Sequence, residues 1–245
     1  LARLPPAAPF TDANVEAVRA DEAGETELRR CSALWVVALG EGVRDLPAVS
    51  TFRRFRKEWP GKPVLAFANA PWGELAQEER TIQLQAGPER AFSATKSFMA
   101  ACLAFAGIAL MAHERVVSDE RGALFEAWLA FPDLARRTLA MVEDRLSGLA
   151  PGFEAYDPVF CLGRQGQLVI AQEGTRLFQE VARLPAFALS PGELRGGPLC
   201  LISRFSPVFA LFAGDAKADC SLIGALFGLQ ARQTASHGII PVVPE

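Results

Sequence analysis

Histidine is almost missing: the 245-residue chain has two, His113 and His237. A histidine-rich metal site is excluded on that count, and no metal-ligand set is read from the sequence. Strong charge of either sign is missing too. Twenty-five basic and 28 acidic side chains leave a formal charge of −3, without the basic excess that nucleic-acid binding requires, so no nucleic-acid partner is expected. A local anion site built from backbone amides stays open. There is no Cys-x-x-Cys. The five cysteines (Cys31, Cys102, Cys161, Cys200 and Cys220) are odd in number, widely spaced and mostly in apolar runs. They read as buried, reduced thiols of a cytoplasmic protein. No membrane partner is expected. The longest apolar run, 98–112, has 15 residues, short of the roughly 20 that span a bilayer, and reads as a buried helix. No cationic leader opens the chain.

Half of the residues are hydrophobic, ample for one large core or two small ones. Residues 1–30 are polar, Pro/Ala-rich and acidic toward their end, a loose lead-in with a possible helix near 13–20. Apolar runs at 34–39 and 64–68 are short, continuous and bounded by glycine or asparagine. That is the pattern of strands buried on both faces. A shorter strand is expected at 81–84 and helices at 47–57, 94–112 and 122–149, the last interrupted near Pro132. The pattern restarts after Ala150-Pro151-Gly152. Strands are expected at 158–162, 186–189, 207–212 and 239–243, and helices at 168–184 and 221–232. Strands alternating with helices at this spacing predict parallel βαβ units. The organisation read from this is α/β: a lead-in (1–30), a first subdomain (31–150) and a second (151–245), each a parallel sheet flanked by helices.

Three places carry candidate chemistry. The turn Gly40-Glu41-Gly42-Val43-Arg44 follows a strand, where glycines let a ligand approach the backbone. It is either an anion site or a plain βα turn; Arg44 offers charge, Glu41 opposes it, and no hydroxyl lies between Leu39 and Pro47. Ser93, Thr95 and Lys96 open an apolar helix, as ligand contacts or as a simple cap. The third place is the glycine-rich segment Ser190-Pro191-Gly192-Glu193-Leu194-Arg195-Gly196-Gly197-Pro198 and the helix before it, which carries Glu173 and Glu180. Glu180 sits four residues after Arg176, so a surface ion pair is the plain alternative to a catalytic role. His113 reads as a surface or capping residue and His237 as a turn residue. Core packing or an oligomer contact is the default for Trp35, Trp59, Trp72 and Trp128.

Gly87-Pro88-Glu89, then Thr95-Lys96 and Phe98, then Gly192-Glu193-Leu194, in this order, resemble the sugar-isomerase (SIS) family. The likeness is closest to the isomerase half of glucosamine-6-phosphate synthase and covers about residues 33–243. It implies two tandem flavodoxin-like SIS subdomains, the first incomplete at its N-terminus and the second at its C-terminus. It also implies a sugar phosphate or amino-sugar phosphate as ligand. Gly40, Gly42, Arg44, Ser93, Thr95, Lys96 and Glu193 are the implied contacts, with Thr95 and Ser93 foremost and Lys96 more structural. Glu180, with Glu173, is the implied catalytic position. Aldose–ketose interconversion through an enediol needs one carboxylate that serves as base and then acid, and no cofactor.

The chain departs from the pattern at chemical positions. Leu177 stands where the family has a lysine, Gly196 where it has the ring-opening histidine, and Ala94 where it has a serine. The family's hydroxyl-rich phosphate loop has no counterpart at 39–47. The reading is therefore a phosphosugar isomerase or deaminase using Glu180, with a catalytically degenerate regulatory or structural subunit as the alternative. A glutamine-dependent synthase is not expected, since no N-terminal cysteine and no room for a glutamine-hydrolysing half are found. The resemblance also implies a cytoplasmic homodimer.

Overall fold

The computed structural model describes residues 17–40, 46–112, 118–149, 157–203, 206–211 and 240–242. The expected helix at 221–232, both histidines, Cys220, Glu41, Gly42 and Arg44 lie outside them. The chain divides into two compact units, residues 1–135 and 136–245.

In the first unit, β1 (Leu34–Ala38), β2 (Val64–Ala68) and β3 (Thr81–Gln83) form a parallel sheet in chain order. Leu34 is opposite Val64, Ala38 opposite Ala68, and Ala68 opposite Gln83. The β2 run VLAFA is almost wholly buried, as befits a central strand covered on both faces. Helix α2 (Leu46–Glu58) connects β1 to β2. It buries Ala48, Thr51, Phe52 and Phe55, an i, i+3, i+4, i+7 stripe, and so presents one apolar face to the sheet. Trp59-Pro60 ends it, because the residue before proline is pushed out of helical geometry. The supposedly loose lead-in holds a short helix, α1 (Glu25–Arg30), whose Leu28 joins the core. Lys62 fastens it, its Nζ donating to the carbonyls of Arg29 (2.7 Å) and Cys31 (2.8 Å).

Helix α3 (Lys96–Ala112) follows β3, and α4 (Ser118–Leu149) follows α3. The indole N–H of Trp128 donates to Leu103 O at 2.9 Å. A Cβ on Gly107 would lie 3.1 Å from the same ring, so the glycine makes room for it. The expected break near Pro132 is absent: α4 runs through it. Proline removes one helix N–H and crowds the carbonyl four residues back, that of Trp128.

In the second unit, β4 (Val159–Leu162), β5 (Ala186–Leu189), β6 (Val208–Leu211) and β7 (Ile240–Val242) form a parallel sheet in the order β5-β4-β6-β7. The first strand lies between the second and third, the flavodoxin order. All four residues of β4 are buried. Phe160 and Leu162 face one core cluster with Leu194, Val208 and Ala210; Val159 and Cys161 face another with Ala171 and Ala186. The alternation is the two-residue period of a strand. Helix α5 (Gly166–Leu177) continues into a π-helical turn, Phe178–Ala182, and a short helix α6 (Pro191–Arg195) follows β5. The architecture is α/β, parallel sheets flanked by helices, as expected. The cysteine expectation holds only in part. Cys161 is buried, and burial pushes its thiol pKa up; Cys200 is exposed.

Candidate functional site

All strands of a parallel sheet end on the same edge, and ligands of open α/β sheets bind beyond that edge. In the first unit the edge gathers Gly40 after β1, Asn69 after β2, and the 84–95 segment that leads from β3 into α3. Asn69 ties two of these together. Its side chain donates to Gly87 O (2.9 Å) and accepts from the Ala86 N–H (3.0 Å). Gly87 sits at φ +74°, a region glycine enters without steric cost.

Glu89 closes the loop on the helix. One carboxylate oxygen accepts from the Thr95 N–H (3.1 Å), the Ser97 N–H (3.1 Å) and the Ser97 hydroxyl (2.9 Å). It thereby satisfies backbone donors that the first turn of a helix leaves unpaired. Burial raises the Glu89 pKa. The Ser97 N–H and hydroxyl, the Thr95 N–H and the Lys96 charge outweigh it, and the carboxyl ends below its usual value. Lys96 Nζ donates to Pro88 O at 2.9 Å, which bears on its expected structural part. Ser93 is buried and Thr95 exposed, so of the two expected contact residues Thr95 is the one at the surface.

The second unit places the other candidates. β4 ends in Gly163, whose Cβ, if present, would fall 2.4 Å from Gln167 O. Only glycine allows this turn to close so tightly onto the start of α5. Gln165 takes φ +50° there. Glu173 and Glu180 are brought together by a shared cation. The Arg176 Nε donates to Glu173 at 2.9 Å, and its other nitrogens pair with Glu173 and Glu180. The three side chains are only 31%, 15% and 23% exposed for Arg176, Glu173 and Glu180. Glu180 lies on the π-helical turn, which ends at Arg183 in left-handed geometry (φ +58°). Such turns concentrate at functional sites. Glu193 belongs to a capping box on α6. Its carboxylate accepts from the Ser190 N–H (2.7 Å), and its own N–H donates to the Ser190 hydroxyl (3.2 Å). The Ser190 N–H, then the Ser190 hydroxyl, lower its pKa.

The unit does not bring all three acids together. Helix α5 runs back along the sheet, so Glu180 at its far end lies toward the edge where the strands begin. Glu193 follows the end of β5, at the opposite edge. Asn69, Glu89 as a cap, and Ser97 were missed by sequence reasoning. Glu89 stood in the motif, but its hydrogen bonds span six to eight residues and follow no periodic pattern. Among the described residues no group of three His, Cys, Asp or Glu converges on a point that could hold a metal ion. No described helix is long and apolar enough to cross a membrane.

No family model matches the chain. It is 30% identical over 203 residues to a glutamine–fructose-6-phosphate aminotransferase (isomerizing) of Pyrobaculum aerophilum, covering 82% of this chain and 33% of the relative. The chain thus spans about a third of the length of the curated relatives it matches. Among solved structures, the C-terminal domain of glucosamine-fructose-6-phosphate aminotransferase from Francisella tularensis superposes with a TM-score of 0.70 at 19% identity, over 86% of this chain and 64% of that one. Glucosamine-6-phosphate deaminase from Thermotoga maritima superposes at 0.59 with 16% identity, over 86% and 61%. The chain belongs to the sugar-isomerase (SIS) domain family, as a homologue of the isomerase half of these aminotransferases.

Proposed function

We propose that the chain binds a sugar phosphate or amino-sugar phosphate at the C-terminal edge of the first sheet, with Thr95 as the foremost contact. The carrying observation is the exposed Thr95, whose backbone N–H the Glu89 clamp holds at the start of α3. Gly40, Lys96 and the buried Ser93 line the same edge as secondary candidates, joined in the proposal by Gly42 and Arg44. Glu193 is kept as a candidate contact from the second unit. The reaction proposed is aldose–ketose isomerisation, or the related deamination, with Glu180 moving the proton between adjacent carbons and Glu173 beside it. A carboxylate suits both halves of that transfer. The working form proposed is a cytoplasmic homodimer, and the subdomain division proposed is 31–150 and 151–245.

A second reading has its own support: a phosphosugar-binding regulatory or structural subunit without turnover. Arg176 engages both Glu173 and Glu180, and Leu177 and Gly196 stand where the family's lysine and histidine are expected. Thermal unfolding with fructose-6-phosphate, glucosamine-6-phosphate, their N-acetylated and deoxy forms, and free phosphate tests the shared binding claim. A ligand at 100 times its Kd adds about 2.7 kcal/mol of stability. A shift with one sugar phosphate, abolished by Thr95→Ala, supports binding; no shift with any of them contradicts both readings. With a binding sugar in hand, turnover lost in Glu180→Gln favours the enzyme, and no turnover in the parent chain favours the subunit.

A further inference from the structure

We infer that Arg90 is the cation that meets the phosphate group at the proposed phosphosugar site, on whose existence this inference rests. A phosphate monoester carries close to two negative charges at neutral pH. A neutral donor such as a threonine hydroxyl can hydrogen-bond to it but leaves that charge uncompensated. A guanidinium compensates charge and offers a planar fork of donors that matches phosphate oxygens.

Three sets of hydrogen bonds place Arg90 beside Thr95. Asn69, just after β2, grips Ala86 and Gly87. Lys96 Nζ reaches back to Pro88 O at 2.9 Å. One Glu89 carboxylate oxygen accepts from the Thr95 N–H at 3.1 Å. The backbone of Thr95 therefore lies one glutamate side chain away from the backbone of Glu89, and the Arg90 Cα follows that of Glu89 by about 3.8 Å. An arginine side chain is longer than a glutamate's, so a phosphate seated at Thr95 is within its span.

The Arg90 side chain is also uncommitted. It is exposed, and among the described residues no acid or carbonyl holds it. Its neighbour Glu89 is taken up by the start of α3, and the cation whose charge acts on it is Lys96. Elsewhere in the first unit Arg19, Arg29, Arg53 and Arg56 are each paired with an acid, and Arg54 donates to Ala23 O. Arg30 and Arg80 have no acid partner among the described residues either. They precede β1 and β3, at the edge where the strands begin. Arg90 follows β3, at the edge where ligands of open parallel sheets bind. Recruiting it to a phosphate breaks no ion pair.

The test is calorimetric titration of the chain with glucosamine-6-phosphate and fructose-6-phosphate at low and at high salt. Arg90→Ala removes the charge and Arg90→Lys keeps it. Both change an exposed side chain, so both variants should unfold at the parent's temperature. The expected result is sugar-phosphate affinity about 10-fold weaker in Arg90→Ala, the size of one lost charged hydrogen-bond partner, with most of it kept in Arg90→Lys. The parent's affinity should fall with salt, and the fall should be smaller in Arg90→Ala. Equal binding by the parent and Arg90→Ala overturns this inference and leaves the phosphosugar reading standing. A loss as large in Arg90→Lys, or one that leaves the salt dependence unchanged, also overturns it, because the charge then plays no part. No sugar phosphate bound by the parent overturns both.

Discussion

The acidic side chains of the two candidate regions, Glu89 in the first unit and Glu173 and Glu180 in the second, are held in opposite ways. In the first, Glu89 is held by two backbone amides and a hydroxyl. Its negative charge sits at a helix start, where the backbone dipoles favour it. In the second, Glu173 and Glu180 share one guanidinium. The first arrangement shapes the loop into α3, on which Thr95 is exposed. The second sets one positive charge against two carboxylates. Under the proposed function, binding and catalysis therefore separate: the sugar phosphate would meet the first unit as it stands, whereas Glu180 would serve as the base once Arg176 releases it.

The comparison can be broken at its most rigid point first. Gly163→Ala places a methyl group 2.4 Å from a backbone oxygen. It should cost about 3 kcal/mol, because backbone cannot swing away as a side chain can; urea unfolding measures it. A loss below about 1 kcal/mol would mean the turn is not closed onto α5.

Next is the clamp in the first unit. Glu89→Ala should lose about 2 kcal/mol, the combined effect of a cap and a charged hydrogen bond. Glu89→Gln tests the charge alone. The folded-state pKa is below the ordinary 4.5, so the stabilisation is fully present above that value and lost as pH falls through the lowered pKa. The stability difference between the parent and Glu89→Gln should accordingly shrink below pH 4.5. A difference constant from pH 7 to pH 3 would refute the charge account.

The smallest expected effect is in the second unit. Arg176→Ala should cost about 1 kcal/mol, since these pairs are partly exposed and lie within one helix. Adding Glu173→Gln and Glu180→Gln should return most of it in a double-mutant cycle. Strictly additive losses would show that the three side chains do not act as a unit.

Continuous apolar runs were legible before the structure: 64–68 and 186–189 match to the residue, the first as a nearly buried central strand, the second as an edge strand that buries only Ala186. The helix across Pro132 was not, since a proline inside a helical pattern reads as an interruption and α4 runs through it. Helix α1 was hidden in a polar stretch with one buried leucine. At the candidate site, Thr95 and Lys96 were found by motif and Glu180 by its spacing from Gly192. The Arg176–Glu180 pair was weighed beforehand from that spacing; the guanidinium's second grip on Glu173 was not. Of the two defaults for a tryptophan, core packing does not hold at Trp72, which is exposed; an oligomer contact stays an expectation there.

The most direct test of the central claim is calorimetric titration of the parent chain and Thr95→Ala with glucosamine-6-phosphate and fructose-6-phosphate. The account predicts saturable binding of at least one by the parent and its loss in Thr95→Ala, with the unfolding temperature of the free variant unchanged. Equal binding by both proteins, or none by the parent, would contradict it.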